Sequence, residues 1–120
     1  MPNILIVDDS TFARASLRRI FDEAGHQVTE AASGQLAIEA AQAQAPDLVT
    51  LDLLMPGMSG FETLQVLRVI CPNSKFVVIS ADIQTATRNE LLAAGAHAFL
   101  NKPATRPELL GTLIELLGLA

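Results

Sequence analysis

The sequence contains no tryptophan and no tyrosine, and it holds a single cysteine, Cys71. One thiol cannot close an internal disulfide, so the chain is not a disulfide-held secreted scaffold and suits a reducing compartment. Basic residues are scarce, 8 against 13 acidic side chains, for a formal net charge of −5. That balance argues against direct nucleic-acid binding, which needs a basic face to neutralise phosphates. No apolar run approaches the ~20 residues that span a bilayer. No charged-then-apolar leader opens the chain, and the expectation is a cytoplasmic protein with no membrane contact. Internal repeats, low-complexity tracts and Gly/Ser-rich linkers are missing as well. What is present is 120 residues, half of them apolar. That suffices for one domain over residues 1–120, burying roughly two-thirds of the surface its unfolded form exposes, without a staple.

Short β-branched runs alternate with longer helical segments along the whole chain. Strands are expected over Asn3–Val7, Gln27–Ala31, Leu48–Asp52, Phe76–Ser80 and Ala98–Asn101. Between and after them, helices are expected over Thr11–Ala24, from a Ser33 cap to about Ala43, over Phe61–Ile70, over Thr85–Ala94, and from Thr105 to the end. Gly25 and Gly95 follow two of these helices, Pro46 and Pro72 stop two others, and Thr105 with Glu108 forms a T-x-x-E capping box. Strict strand–helix alternation implies an α/β fold, doubly wound, with a five-stranded parallel sheet covered on both faces. The continuously apolar strands agree, since a strand covered on both sides has no polar face. In such sheets binding sites form beyond the carboxyl ends of the strands.

Those ends carry the polar residues. The first strand runs into Asp8-Asp9, the third into Asp52, the fourth into Ser80, and the fifth into Asn101-Lys102-Pro103. Singly, each has an ordinary reading: the Asp pair as a helix cap, Asp52 as a loop carboxylate, Ser80 as a cap, Lys102-Pro103 as a turn. Their convergence on one sheet edge decides for a site. Packed carboxylates repel and resist ionisation unless a cation compensates. Oxygen donors with no His or Cys nearby suit a hard ion, which makes Mg²⁺ the natural cofactor. An aspartate beside that ion can attack phosphorus, and the lysine and hydroxyl can hold the transferred oxygens.

The stretches ILIVDDS, DLLMPGMSG from Asp52 to Gly60, VVISA around Ser80, and FLNKP from Phe99 to Pro103 carry a closer likeness. In identity and spacing, over essentially the whole chain, the sequence resembles the receiver domain of bacterial response regulators, of the stand-alone CheY-like type. The resemblance implies the flavodoxin-like strand order 2-1-3-4-5, a topology for which CheY is a standard example. It implies that Asp52 is phosphorylated by a histidine kinase. It implies further that Asp8, Asp9, Asp52 and the backbone carbonyl of Leu54 hold Mg²⁺, with Asp8 acting partly through water. Lys102 and Ser80 would contact the phosphoryl group, and Ser80 with Phe99 would form the switch. Lys102-Pro103 would be a cis bond aiming Lys102 at the site. The switched surface would be the fourth helix, fifth strand and fifth helix, presented to a downstream target or a phosphatase, with chemotaxis among the pathways. The protein would then be no enzyme beyond catalysing its own phosphorylation and dephosphorylation.

Ser80 stands where threonine is common in that family and Phe99 where tyrosine is also common. Leu54 and Asp82, two residues beyond Asp52 and Ser80, occupy positions that influence phosphoryl-group lifetime. Arg14 and Arg18 share a helix face, open to reading as a solvated surface or as a kinase-docking one. His26 and His97 read as structural or exposed. In the last helix Leu109, Leu113 and Leu116 form one apolar stripe and Leu110, Ile114 and Leu117 a second. The second leaves open a monomer or a phosphorylation-dependent dimer. Two other chemistries fit less well. A haloacid dehalogenase-type phosphohydrolase wants a second aspartate where Leu54 stands, and a flavodoxin-type FMN protein wants a Trp or Tyr to stack on the flavin. A receiver cut from a larger regulator remains a reading of the same residues.

Overall fold

A computed structural model describes residues 2–81 and 85–118 of the chain. In chain order its elements are β1 (Asn3–Val7), α1 (Thr11–Glu23), β2 (Gln27–Ala31), α2 (Gly34–Ala43), β3 (Leu48–Leu51), α3 (Gly60–Ile70), β4 (Lys75–Ser80), α4 (Thr85–Ala94), β5 (Ala98–Asn101) and α5 (Arg106–Leu117). The strands form one parallel sheet in the order β2-β1-β3-β4-β5. This is the doubly wound α/β arrangement expected from the alternation, with the strand order the resemblance implied.

Two apolar layers sandwich the sheet. On one face Leu5, Val7, Val49, Leu51, Phe76 and Val78 pack with Ala37 and Ala41 of α2, Leu64 and Leu67 of α3, and Leu91 of α4. On the other, Ile4, Ile6, Leu48, Val77 and Ile79 pack with Leu17 and Phe21 of α1 and Leu109 and Leu113 of α5. The inner strands β1, β3 and β4 are buried along nearly their whole length, whereas the edge strand β2 reads exposed at three of its five residues. That explains why Gln27–Ala31 is half polar: only one of its faces meets a core. Part of the second α5 stripe also goes into packing. Leu117 joins Leu116 against the core, and Ile114 is the member left half exposed.

Several boundaries differ from the sequence expectation, each for a local reason. Helix α3 begins at Gly60 because Ser59 is its cap: the Glu62 amide donates to Ser59 Oγ and the Ser59 amide to Glu62 Oε1, a capping box inside what reads as a loop. Strand β3 stops at Leu51, although the Asp52 amide still donates to the Val7 carbonyl at 3.0 Å. Helix α1 ends at Glu23 with Ala24 as its cap, and Gly25 beyond it takes the left-handed φ of 88° that closes such helix ends. Strand β4 gains Lys75 at its start.

His97 is a structural histidine. Its backbone amide donates to the Phe76 carbonyl at 2.8 Å, and its ring Nδ1 accepts the Phe76 amide at 3.0 Å. An imidazole thus substitutes for a backbone acceptor where β5 begins to pair with β4. Burial, followed by the positive charges of Lys75 and Arg68, lowers the His97 pKa below the ordinary 6.5. The folded state therefore holds the neutral ring, which a proton-free Nδ1 acceptor requires. A depressed folded pKa contributes stability that is complete above 6.5 and is lost as pH falls through that value toward the folded one. The ring is largely exposed, so solvent screening keeps the effect modest. Urea unfolding at pH 7.5 should show native protein more stable than His97→Gln, with the gap narrowing steadily toward pH 5. A gap independent of pH would show that the imidazole's charge state plays no part.

Candidate functional site

The strand order makes β1, β3, β4 and β5 consecutive neighbours, so Asp8-Asp9, Asp52, Ser80 and Lys102 emerge side by side at the carboxyl edge. Carboxylate oxygens of Asp8, Asp9 and Asp52 lie within 4.8 Å of one another. Asp8 and Asp52 are 2% and 7% exposed, while Asp9 reaches solvent. Lys102 Nζ sits between the two buried ones, 2.7 Å from Asp8 Oδ2 and 3.1 Å from Asp52 Oδ2. Burial works against the ammonium, but hydrogen bonds to Asp8 and Asp52 outweigh it and raise the Lys102 pKa above 10.5. That pairing stabilises the fold below about pH 10 and fades as pH rises through the raised value.

The backbone supplies the remaining support. Asp8 Oδ1 accepts the Ser10 amide at 2.9 Å, and Asp52 Oδ1 the Leu54 amide at 3.4 Å. The Leu54 side chain points outward, 68% exposed. Gly60 lies against the Asp52–Leu53 backbone so closely that a Cβ there would overlap the Asp52 carbonyl and come within 2.6 Å of Leu53 Cα. Its own amide donates to the Leu53 carbonyl at 3.0 Å. Glycine at the start of α3 is therefore what lets that helix approach the end of β3. The Lys102-Pro103 peptide is cis.

Ser80 and Phe99 share a face of the sheet. Ser80 pairs with Asn101 and Val78 with Phe99, which makes Ser80 and Phe99 diagonal neighbours on β4 and β5. The Ser80 hydroxyl is fully buried and has no hydrogen-bond partner among the described residues. Phe99 is only partly buried against the core, with the Arg88 guanidinium 5.9 Å from its ring centre. A buried donor without a partner costs about 1–3 kcal/mol. Asp82 lies outside the described residues.

Arg14 and Arg18 turn back onto the protein. Both bind Glu30 of β2, through Arg14 Nε at 3.2 Å and Arg18 Nη1 at 2.7 Å. This helix face therefore pairs within the chain, with the Arg18 side chain still 43% exposed. The exposed feature of α1 is Phe12, 83% accessible, at the rim of a groove of about 200 Å³ shared with Ile20, Pro103 and Ala104 and bordered by Lys102. Sequence reasoning passed over Phe12, although an aromatic off the Leu17–Phe21 stripe and two residues after Ser10 was the available signal.

As ionised groups, three carboxylates against one ammonium leave two negative charges in a largely buried cluster. The donors are all oxygen, one carboxylate faces solvent, and the spacing is short enough for one ion to touch several. The residues fit a hard divalent cation. Replacing Lys102 with Met should lower stability by about 1–3 kcal/mol at pH 7 without divalent ions. Urea midpoints measure it, and an unchanged midpoint at pH 7 would mean that the ammonium does not relieve the carboxylates.

Comparison with known proteins leads to the same place. The response regulator receiver domain family matches residues 4–114. The chain is 42% identical over 101 residues to the chemotaxis protein CheY of Thermotoga maritima, covering 83% of this chain and 84% of that one. It is 36% identical over 117 residues to the sensory/regulatory protein RpfC of Xanthomonas campestris, covering 94% of this chain but 16% of that longer protein. The crystallised chemotaxis protein CheY4 of Vibrio cholerae superposes with a TM-score of 0.92 at 30% identity, over 97% of this chain and 98% of that one. With the acidic edge and its lysine in place, these matches establish that the chain belongs to the response regulator receiver domains of two-component signalling.

Proposed function

We propose that Asp52 accepts a phosphoryl group from a histidine kinase and that the modified aspartate switches the surface of α4, β5 and α5 toward partner proteins. The observation that carries this reading is the Asp52 carboxylate itself: nearly buried at the end of β3, held by Lys102 and the Leu54 amide, and facing two more carboxylates. A structural aspartate would not be packed against two like charges. A carboxylate oxygen of Asp52 attacks phosphorus as the donor imidazole leaves, and the Lys102 ammonium holds a transferred oxygen. Asp8, Asp9, Asp52 and the Leu54 carbonyl are the groups proposed to hold Mg²⁺, which when bound neutralises charge on the phosphoryl oxygens.

Phosphorylation adds about −1.5 to −2 charge and three acceptor oxygens. The partnerless Ser80 hydroxyl is then the donor that one of these oxygens takes, and its shift opens room for Phe99, its diagonal neighbour, to turn inward. Phe99 is only partly buried in this state, so turning inward would bury more of its ring. A bias of a few kcal/mol is enough to invert such populations. Leu54 and Asp82, two residues beyond Asp52 and Ser80, are the proposed modulators of phosphoryl lifetime. The protein so described acts in the cytoplasm between a kinase and a downstream target or phosphatase, and its only catalysis is its own phosphorylation and dephosphorylation. The exposed Phe12 groove next to Lys102 supplies an apolar footing for the donor protein.

Incubation with acetyl phosphate and Mg²⁺, followed by intact mass, should add one phosphoryl group to native protein and none to Asp52→Asn. Equal labelling of both would place the acceptor elsewhere.

A further inference from the structure

The pairing of β1 with β2 ends at Val7 and Ala31, and the Asp8 amide makes the last cross-strand contact, to the Ala31 carbonyl at 3.1 Å. The Asp8 carbonyl lies past that ladder, in a residue that is 2% exposed. A buried carbonyl there needs a donor from elsewhere. Arg14 supplies it, with Nη1 at 2.6 Å from the Asp8 carbonyl. The same guanidinium donates from Nε to Glu30 Oε1 at 3.2 Å and from Nη2 to Thr11 Oγ1 at 3.4 Å. Glu30 is fixed in turn, because its Oε2 takes Arg18 Nη1 at 2.7 Å and Arg18 Nε lies 3.3 Å from Asp22 Oδ2. A chain of charged contacts thus runs from the edge strand to the backbone that carries the acidic pair. The Arg14 side chain is only 14% exposed, so its own contacts are less screened than those of Glu30 and Arg18, which are 30% and 43% exposed.

We propose that Arg14 is a positioning residue for the acidic site, fixing the turn that presents Asp8 and Asp9, with Glu30 of β2 as its anchor. The proposal rests on the reading of this site as a divalent-cation and phosphoryl-acceptor centre. Asp8 is tied at four points: its amide to Ala31, its carbonyl to Arg14, Oδ1 to the Ser10 amide and Oδ2 to Lys102. Three of these are backbone groups of the strand and turn or the lysine of the site. Arg14 adds a side-chain link from the turn to Glu30 on the outer edge strand, beside the backbone contact of the Asp8 amide to Ala31. A planar, five-donor guanidinium can bridge a carbonyl and a carboxylate at once, which a lysine ammonium on a flexible stem does less well. Arg14 touches no reacting atom. Its effect acts through the spacing of the Asp8 and Asp9 oxygens, so it belongs to metal affinity and phosphorylation rate together.

The test compares native protein with Arg14→Gln, Arg14→Lys, Glu30→Gln and the control Arg19→Gln, whose exposed pair with Glu23 lies away from the turn. Mg²⁺ dissociation constants are measured by calorimetry, and acetyl phosphate labelling is followed at several Mg²⁺ concentrations. Supporting groups behind metal ligands typically account for 10- to 100-fold in affinity. Arg14→Gln should weaken Mg²⁺ binding about tenfold, near the low end because Arg14 holds backbone and not a ligand atom. Arg14→Lys should recover part of that loss, Glu30→Gln should show a smaller loss in the same direction, and Arg19→Gln none. At saturating Mg²⁺ the labelling rate should return toward native. A folded Arg14→Gln with native Mg²⁺ affinity overturns the proposal. If Arg14→Gln does not fold, native affinity in Glu30→Gln overturns it instead. Absence of Mg²⁺ binding in native protein would fail the cation reading itself, a result distinct from unchanged affinity in the variants.

Discussion

Two buried carboxylates share one ammonium, and a third carboxylate stands within reach. From that crowding of negative charge at the carboxyl edge, the rest of the structure takes its meaning. Water would separate such groups, and isolated salt bridges of this kind add little to stability once desolvation is counted. The sheet holds them together nonetheless, because β1 and β3 are central strands with apolar cores on both faces, and Asp8 and Asp52 are the next residues in the chain after them. The energy that keeps the acids close comes from Ile4, Leu5, Ile6, Val7, Leu48, Val49 and Leu51, not from the acids themselves. The fold thereby stores repulsion that a cation or a transferred group with its own counter-charge can relieve.

Around that cluster the supporting parts divide by origin. Lys102 comes from the far edge strand, Ser10 and Leu54 supply amides, and Gly60 brings the start of α3 against the Asp52 carbonyl. Behind the cluster, Ser80 and Phe99 form a pair with unused capacity, a hydroxyl without a partner and a ring only partly inside. A site that already strains against its own charge, next to groups that can still move, is suited to carry a signal.

Much of this is legible in the sequence. Alternating apolar runs and helical segments specify the parallel α/β sheet, and the polar residues that end those runs mark the site, because strand direction is the same throughout. Side-chain partners are less legible. Arg14 and Arg18 share a helix face and look outward from periodicity alone, yet both reach Glu30 across the turn, a long-range contact that spacing does not encode. His97 shows the same limit, since nothing local says that its ring replaces a backbone acceptor for Phe76. The Ser59–Glu62 box is a different case: the signal was present, but Pro56, Gly57 and Gly60 gave the whole stretch a loop-like look. The second stripe of α5 could be core or surface by pattern, and the fold divides it, with Leu117 packed against the core and Ile114 half exposed.

The charge crowding has one direct thermodynamic signature. A cation that binds the folded site and not the unfolded chain stabilises by RT ln(1 + [L]/Kd), about 2.7 kcal/mol at one hundred times Kd. Thermal melts of the native protein in increasing Mg²⁺, against sodium chloride at matched ionic strength, measure that term. The account predicts a melting temperature that keeps climbing with the logarithm of Mg²⁺ and exceeds the sodium series throughout, with Asp9→Asn losing most of the excess. Magnesium and sodium curves that coincide for the native protein would contradict it.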